Sequence, residues 1–341
     1  MPVAGLALGA LALAAALVPL VIRLARRTGF LDLPGPRKIH ATPMPYGGGF
    51  AVAAGFFAAL ATAVALDLPH LGLKTLSVFA LGSLVMLTLG AVDDRRRLSA
   101  KLKLLVQTIT ASGVAAGGER LEVFNAGPWL GGAITVLWIV AVTNAFNLLD
   151  HMDGLSSGVA AIALGAFLAV ALQTGQPGMA TAVAPLLGAC AGFLLWNFPP
   201  AKIFLGDAGS LFIGFWLACL TVPFTFYTAP YRFYTYGVPL AVLAVPLFDT
   251  GSVVLIRLWK RKPLFEGDTN HLAHRLSALG MSKRLTVLTV YALTLAAGTA
   301  AVLLYHVSTT GAVLVFVLLV LIFGIMTLLE AAGRARKDVA P

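Results

Sequence analysis

The chain has 341 residues, of which 59% are hydrophobic and 11% charged, and its mean hydropathy is +0.91. Soluble domains carry about 25% charged residues, so a soluble globular fold is excluded and little length is left for one beside a membrane bundle. Cys190 and Cys219 both fall in apolar runs, which argues against a disulfide framework and a thiolate metal site, and the formal net charge of +10 needs no nucleic acid when anionic headgroups line a basic face.

Eleven apolar runs follow in order, near 3–22, 48–66, 75–92, 104–116, 131–149, 155–172, 179–196, 209–226, 237–256, 286–305 and 311–329. Each approaches the ~20 residues that a spanning helix needs, the fourth least closely. The sequence therefore predicts an all-α, polytopic integral membrane protein of about eleven transmembrane helices, with ten as the alternative count, forming one domain over 1–341. The first run has no basic residue before it and exceeds the apolar core of a signal peptide, so a retained helix is expected.

Lysine and arginine set the orientation. Of the 24, 21 fall in one set of connections, and the alternate set holds Lys74, Arg120 and Arg232. The first set is thereby predicted to be cytoplasmic, with the N-terminus outside and the C-terminus inside. Among the fourteen acids, only Asp67, Glu119 and Glu122 fall on the outer side, whereas Asp93, Asp94, Asp150, Asp153, Asp207, Asp249, Glu266 and Asp268 sit at or beside cytoplasmic helix ends. Scattered solvated charges would not segregate in this way. The polar segments 93–103, 143–157, 197–210 and 257–284 are expected to build one active site facing the cytoplasm.

The densest polar stretch runs Asn144-Ala-Phe-Asn147-Leu-Leu-Asp150-His-Met-Asp153-Gly154. An Asp at mid-bilayer costs roughly 2.5–3.5 kcal/mol on insertion scales, so four polar groups there point to function. A helix cap uses one such residue, not four. The regular spacing of three drifts around a straight helix, so a tight turn or a helix ending at Gly154 is expected to gather the groups on one side. Asp93-Asp94 closes the third run; adjacent carboxylates repel unless a cation or proton lies between them, which suits metal or phosphate chemistry. Gly206-Asp207-Ala208-Gly209-Ser210 precedes the eighth run, where glycines permit close approach and a helix N-terminus offers N–H groups to an anion. Asp249 lies inside the ninth run and must face protein or water. In Phe265–Leu276, His271, His274 and Arg275 stand beside Glu266 and Asp268; the spacing is not that of a zinc site, so an anion clamp is the better reading. The first loop, with Arg37, Lys38 and His40 among prolines, could meet a lipid phosphate.

Taken together and in order, Arg37-Lys38-Ile39-His40, Asp93-Asp94, the Asn144–Gly154 segment, Gly206–Ser210 and the His271–Arg275 loop resemble the polyprenyl-phosphate N-acetylhexosamine-1-phosphate transferase superfamily, glycosyltransferase family 4. The resemblance covers nearly the whole chain. The Phe265–Leu276 loop is most similar to the undecaprenyl-phosphate N-acetylglucosamine-1-phosphate transferases that begin O-antigen, common-antigen and teichoic-acid linkage synthesis. It is less similar to the phospho-N-acetylmuramoyl-pentapeptide transferases, which carry consecutive histidines. Two positions depart from the family: His151 stands where Gly is usual, and Ala273 where a middle His is common.

The resemblance implies a Mg²⁺-dependent reaction, with Mn²⁺ as the alternative ion, in which a UDP-sugar and polyprenyl phosphate give polyprenyl-diphospho-sugar and UMP. It places the protein in the inner (plasma) membrane and allows a homodimer. By resemblance Asp207 and Asp153 take the metal, with Asp93, Asp94, Asp150 and Asp153 as the catalytic acids. Lys38, His40, Lys101, Asn144, Asn147, His271, His274 and Arg275 then bind the substrates. Direct attack by the lipid phosphate is the preferred route, with Asp93 orienting it or removing a last proton; a covalent aspartyl-phosphate route is disfavoured. The alternative donor is the phospho-N-acetylmuramoyl-pentapeptide nucleotide. An ion-coupled transporter is the reading from another class; it expects acids at mid-depth and on both sides.

Overall fold

Each apolar run becomes a helix or a bent pair of helices in the computed structural model, which describes residues 2–34, 42–121, 127–226, 233–263 and 271–339, with side chains as far as 329. The chain divides into two compact units, Met1–Phe224 and Thr225–Pro341.

The first unit opens with α1 (Pro2–Thr28), then a two-stranded antiparallel ribbon of β1 (Leu31–Asp32) and β2 (Met44–Pro45), with Leu31 opposite Pro45. Seven helices follow: α2 (Gly48–Ala65), α3 (Leu73–Arg96), α4 (Ala100–Ala116), α5 (Gly127–Leu149), α6 (Leu155–Gln173), α7 (Pro177–Asn197) and α8 (Gly206–Leu220). With no hydrophobic drive between helices in lipid, close contact depends on small residues. Gly188 and Gly192, one turn apart on α7, supply it: a Cβ on either would lie within 2.2 Å of a carbonyl oxygen of α1, that of Ala7 or Leu11. α8 is buried at every position but Asp207 and is flanked by α3, α5 and α2. Trp216 on it meets Phe56 at 4.6 Å and Phe79 at 5.8 Å between ring centres.

The second unit holds a 3₁₀ turn (Phe233–Gly237), α9 (Val238–Val242), α10 (Ala244–Trp259), α11 (Leu272–Ala278), α12 (Lys283–Leu303) and α13 (Thr309–Val339). The turn and α9 meet α10 at a bend of 72°. Its apolar packing includes a 510 Å³ groove between α9, α10 and α13, lined by Leu240, Phe248, Phe316 and Phe323 among others.

The protein is a polytopic helical membrane protein. Eight helices among the described residues are long and apolar enough to cross a bilayer, or nine if the bent pair counts as one span. α8, at 15 residues, is about 22 Å long, short of the ~30 Å hydrocarbon core. α4 has 17 residues and is not among the eight.

Candidate active site

Five carboxylates and one ammonium meet at one end of the first unit. α3 ends in the left-handed Arg97 (φ 47°), and Ser99 caps α4 by accepting from the Leu102 N–H, so the chain reverses in three residues. That hairpin sets Lys103 beside Asp93. Lys103 Nζ donates to Asp93 Oδ2 at 2.7 Å and to Asp207 Oδ2 at 2.9 Å, and the Asp93 and Asp207 carboxyls are themselves in hydrogen-bond contact. The other oxygen of Asp93 accepts from the Leu98 N–H. Two carboxyls this close need a proton or a cation between them.

Asp94 faces the same helix end in another way. Its Oδ1 accepts from the Asp207 N–H at 2.8 Å and its Oδ2 from the Ala208 N–H at 3.2 Å. The sequence reading offered the N–H groups at this helix start to a substrate anion; the N–H groups of Asp207 and Ala208 belong instead to Asp94. The geometry needs two glycines. Gly206 has φ 76°, and one turn before Asp94 a Cβ on Gly90 would lie 2.3 Å from the Asp207 backbone.

The Asn144–Gly154 segment is gathered by a tight turn, the first of the two expected alternatives. α5 ends at Leu149, not at Gly154; residues 150–153 form the turn, and Gly154 (φ 72°) starts α6. Asp150 is the first residue past the helix, its N–H bonded to the Asn147 carbonyl at 3.2 Å. Its carboxyl accepts from the Gly206 N–H, while burial, then the Asp207 and Asp94 charges, push its pKa well above the usual carboxylate range. Asp153 lies beside it and accepts from the Ala201 N–H at 3.2 Å. The carboxamides have protein partners: Asn144 exchanges hydrogen bonds with Gln107, and Asn147 donates to Ser210 Oγ at 3.0 Å. Both fasten α5 to its neighbours.

Four residues of this end went unread in the sequence. Lys103 is one; Lys101, chosen there, is exposed. Gln107, 2% exposed, lies one turn beyond Lys103 on α4. Asn197 accepts from the Gly154 N–H and Ser157 and donates to the Ile203 carbonyl, tying the 150–153 turn to the segment before α8. Tyr46 stands among Asp32, Asp94 and Asp207; burial first, then those charges, raise its phenol pKa. A lone amide inside an apolar run was the available signal for Gln107.

In the second unit, Asp249 is fully buried and accepts from the Leu272 N–H and from His271 Nδ1, the latter at 2.8 Å. Arg275 donates to Ser252 Oγ at 3.0 Å. His274, 6.5 Å from His271 between ring centres, has its pKa lowered by burial and then by the neighbouring imidazole. Lys38, His40, Glu266 and Asp268 lie outside the described residues.

Residues 76–225 match the model of glycosyl transferase family 4. The chain is 32% identical over 337 residues to a protein of Bacillus subtilis named probable undecaprenyl-phosphate N-acetylglucosaminyl 1-phosphate transferase, covering 95% of this chain and 90% of that one. The chain belongs to glycosyl transferase family 4. It is also 31% identical over 349 residues to the decaprenyl-phosphate N-acetylglucosaminephosphotransferase of Mycobacterium tuberculosis, covering 91% and 84%. Against the undecaprenyl-phosphate alpha-N-acetylglucosaminyl 1-phosphate transferase of Thermotoga maritima, identity is 30% over 270 residues, covering 79% and 80%. The matched stretch of this glycosyl transferase takes in Asp93, Lys103, Asp150 and Asp207 and ends before Asp249 and His271.

The carboxylates of this glycosyl transferase suit a divalent cation. Asp93, Asp94, Asp150, Asp153 and Asp207 supply hard oxygen atoms, five acids gathered around the one Lys103 ammonium. Mg²⁺ takes one or two protein carboxylates together with substrate phosphates, which is the chemistry such a donor set offers.

Proposed function

We propose that the protein transfers N-acetylglucosamine 1-phosphate from its UDP derivative to undecaprenyl phosphate, releasing UMP, at the cytoplasmic face of the plasma membrane. The observation that carries this reading is the Asp93–Lys103–Asp207 contact with Asp94 and Asp150 behind it. The names of the three relatives point to the N-acetylglucosaminyl donor and not to the muramoyl-pentapeptide one. The described acids of the site share one end of the first unit, which argues against ion transport, where acids at mid-depth would be required.

Phosphoryl transfer needs positioning and charge neutralisation more than covalent help. Asp207, with Asp153 as second donor, would hold Mg²⁺, which when bound neutralises the diphosphate of the donor. Asp93 keeps one oxygen on Leu98 and the other on Lys103. A carboxylate so engaged suits orienting an acceptor better than attacking phosphorus. The acceptor needs little deprotonation, since the second pKa of a phosphomonoester is about 6. Lys103 holds Asp93 and Asp207 in register and adds positive charge where the phosphates gather. Asp94 acts through the start of α8, fixing the backbone of Asp207. In the second unit, His271, His274 and Arg275 would bind the donor's diphosphate or sugar.

The deciding experiment gives the purified protein undecaprenyl phosphate, Mg²⁺ and a panel of UDP-sugars and measures UMP release. Turnover should be fastest with UDP-N-acetylglucosamine. Preference for the muramoyl-pentapeptide nucleotide would sink the donor assignment, and absence of UMP with every donor would sink the reaction.

A further inference from the structure

Asp249 has no place in the mechanism above, yet it is 0% exposed inside the bent α9–α10 segment and is an acid held within an apolar run. Such a group is costly unless its partners repay it. Both of its oxygens are engaged at the start of α11: Oδ1 takes the Leu272 N–H, and Oδ2 lies 2.8 Å from His271 Nδ1. His271 is itself 4% exposed. An ionised carboxylate only accepts, so Nδ1 must carry a proton, which makes Nε2 the atom through which the neutral ring can accept.

We propose that Asp249 is the positioning residue of His271: it locks the ring's orientation and fixes the proton on Nδ1, so that Nε2 faces away from Asp249. The inference rests on the reading of His271 as a donor-binding residue. A plain helix cap for α11 would need only the Leu272 contact, through Oδ1. The His271 contact is made by the other oxygen, so the two roles can be separated.

Asp249→Asn separates them. The Asn carbonyl oxygen still accepts from Leu272, but its amide can only donate to Nδ1, which forces the proton to Nε2. With ¹⁵N-histidine in the full chain in micelles, His271→Gln identifies the His271 ring signals. The wild-type ring should show a protonated Nδ1, and Asp249→Asn should reverse the pattern while elution and thermal midpoint stay close to wild type. UMP release should then fall about 10²-fold or more, the typical range for a lost acid–base or orienting contact. The double variant Asp249→Asn with His271→Gln should be no slower than the worse single one, because two residues acting as a unit are not additive. An unprotonated Nδ1 in the wild-type ring would overturn the proposal, as would losses that multiply in the double variant. Failure of the wild-type protein to release UMP would instead strike the functional reading, and the ring signals would still decide the Asp249–His271 pairing.

Discussion

Asp207 and Asp93 share Lys103 and touch each other, yet their roles separate on physical grounds. Removing a charged oxygen from a hard-cation site is not offset by adding cation, so Asp207→Asn should abolish turnover and extra Mg²⁺ should restore little of it. Asp93→Asn should lose only about 10²-fold, the low end for a group acting on an acceptor that is already mostly ionised. Its residual rate should climb through the acceptor's own pKa near about 6. A pH–rate profile of both variants at saturating lipid phosphate checks this; a flat, near-zero rate for Asp93→Asn would point to a nucleophile instead. Asp150 gives a stability prediction. Its pKa is raised by burial and by Asp207 and Asp94, so the folded state binds its proton more tightly than the unfolded chain, where the pKa is about 3.9. That contribution is full below the unfolded value and is lost as pH rises through the folded one. Asp150→Asn cannot ionise, so without divalent cation its thermal midpoint should exceed wild type by more at about pH 8 than at about pH 5. An equal difference at both would remove the buried-charge account. The structure brings Asp93 and Asp207, legible by residue type, together at Lys103, whereas Lys101 on α4 is exposed. Lys101 and Lys103 are two residues apart and so point to different sides of the helix. Which side is inward depends on where α5 and α8 lie, and only Gln107, one turn on from Lys103, hinted at it.

The start of α8 is held by elements distant in sequence, and its accuracy depends on how closely they approach. Gly90 on α3 lets that helix touch the Asp207 backbone, and Gly49 at the start of α2 lies where a Cβ would come within 2.3 Å of the Gly209 nitrogen. The N–H groups of Gly48 and Gly49 also bond the Phe204 and Leu205 carbonyls, at 3.0 and 3.1 Å. Gly90→Ala should push α3 and α8 apart, costing about 1–3 kcal/mol for overpacking and most of the turnover, because Asp94 and Asp207 would lose their register. Gly113→Ala in α4 meets nothing within 4 Å and should be neutral or slightly stabilising through helix propensity alone. Thermal midpoints and UMP release for the pair test this; equal effects would show that helix spacing is not what Gly90 supplies. Helix positions were legible because lipid permits few alternatives to apolar runs that satisfy their own backbone. The end of α5 was not. A tight turn and a stop at Gly154 fitted the sequence equally; the chain takes the turn, leaving the helix at Asp150, where a buried carboxyl gains the Gly206 N–H.

At the scale of the molecule, Asp93, Asp94, Asp150, Asp153 and Asp207 converge where α3 and α5 end and α4, α6 and α8 begin. The opposite end of the α3–α4 pair carries the Thr75–Glu119 hydrogen bond. This is the segregation of acids that the basic residues predict, and it fixes which helix ends share a side without saying which side is the cytoplasm. Not every basic residue at that end belongs to the site: the Arg95 guanidinium lies 5.2 Å from the Phe30 ring centre, and the Lys202 ammonium 4.9 Å from that of Trp196. Such cations at helix ends serve orientation, because positive side chains are retained on the cytoplasmic side. Lys262, in the connection after α10, tests the assignment, since it belongs to the basic set and lies outside the helices. Cys190 and Cys219 are both fully buried and should be silent to a polar maleimide, so Lys262→Cys can be read in the otherwise native chain. In intact cells an impermeant maleimide should leave position 262 unlabelled, and opening the cells should make it react. A cysteine replacing Lys74, near the start of α3 and in the sparse basic set, should behave in the opposite way. Labelling of 262 from outside would invert the whole chain. It would place Asp93, Asp150 and Asp207 on the side where no UDP-sugar is made, and the proposed reaction would then lack its donor.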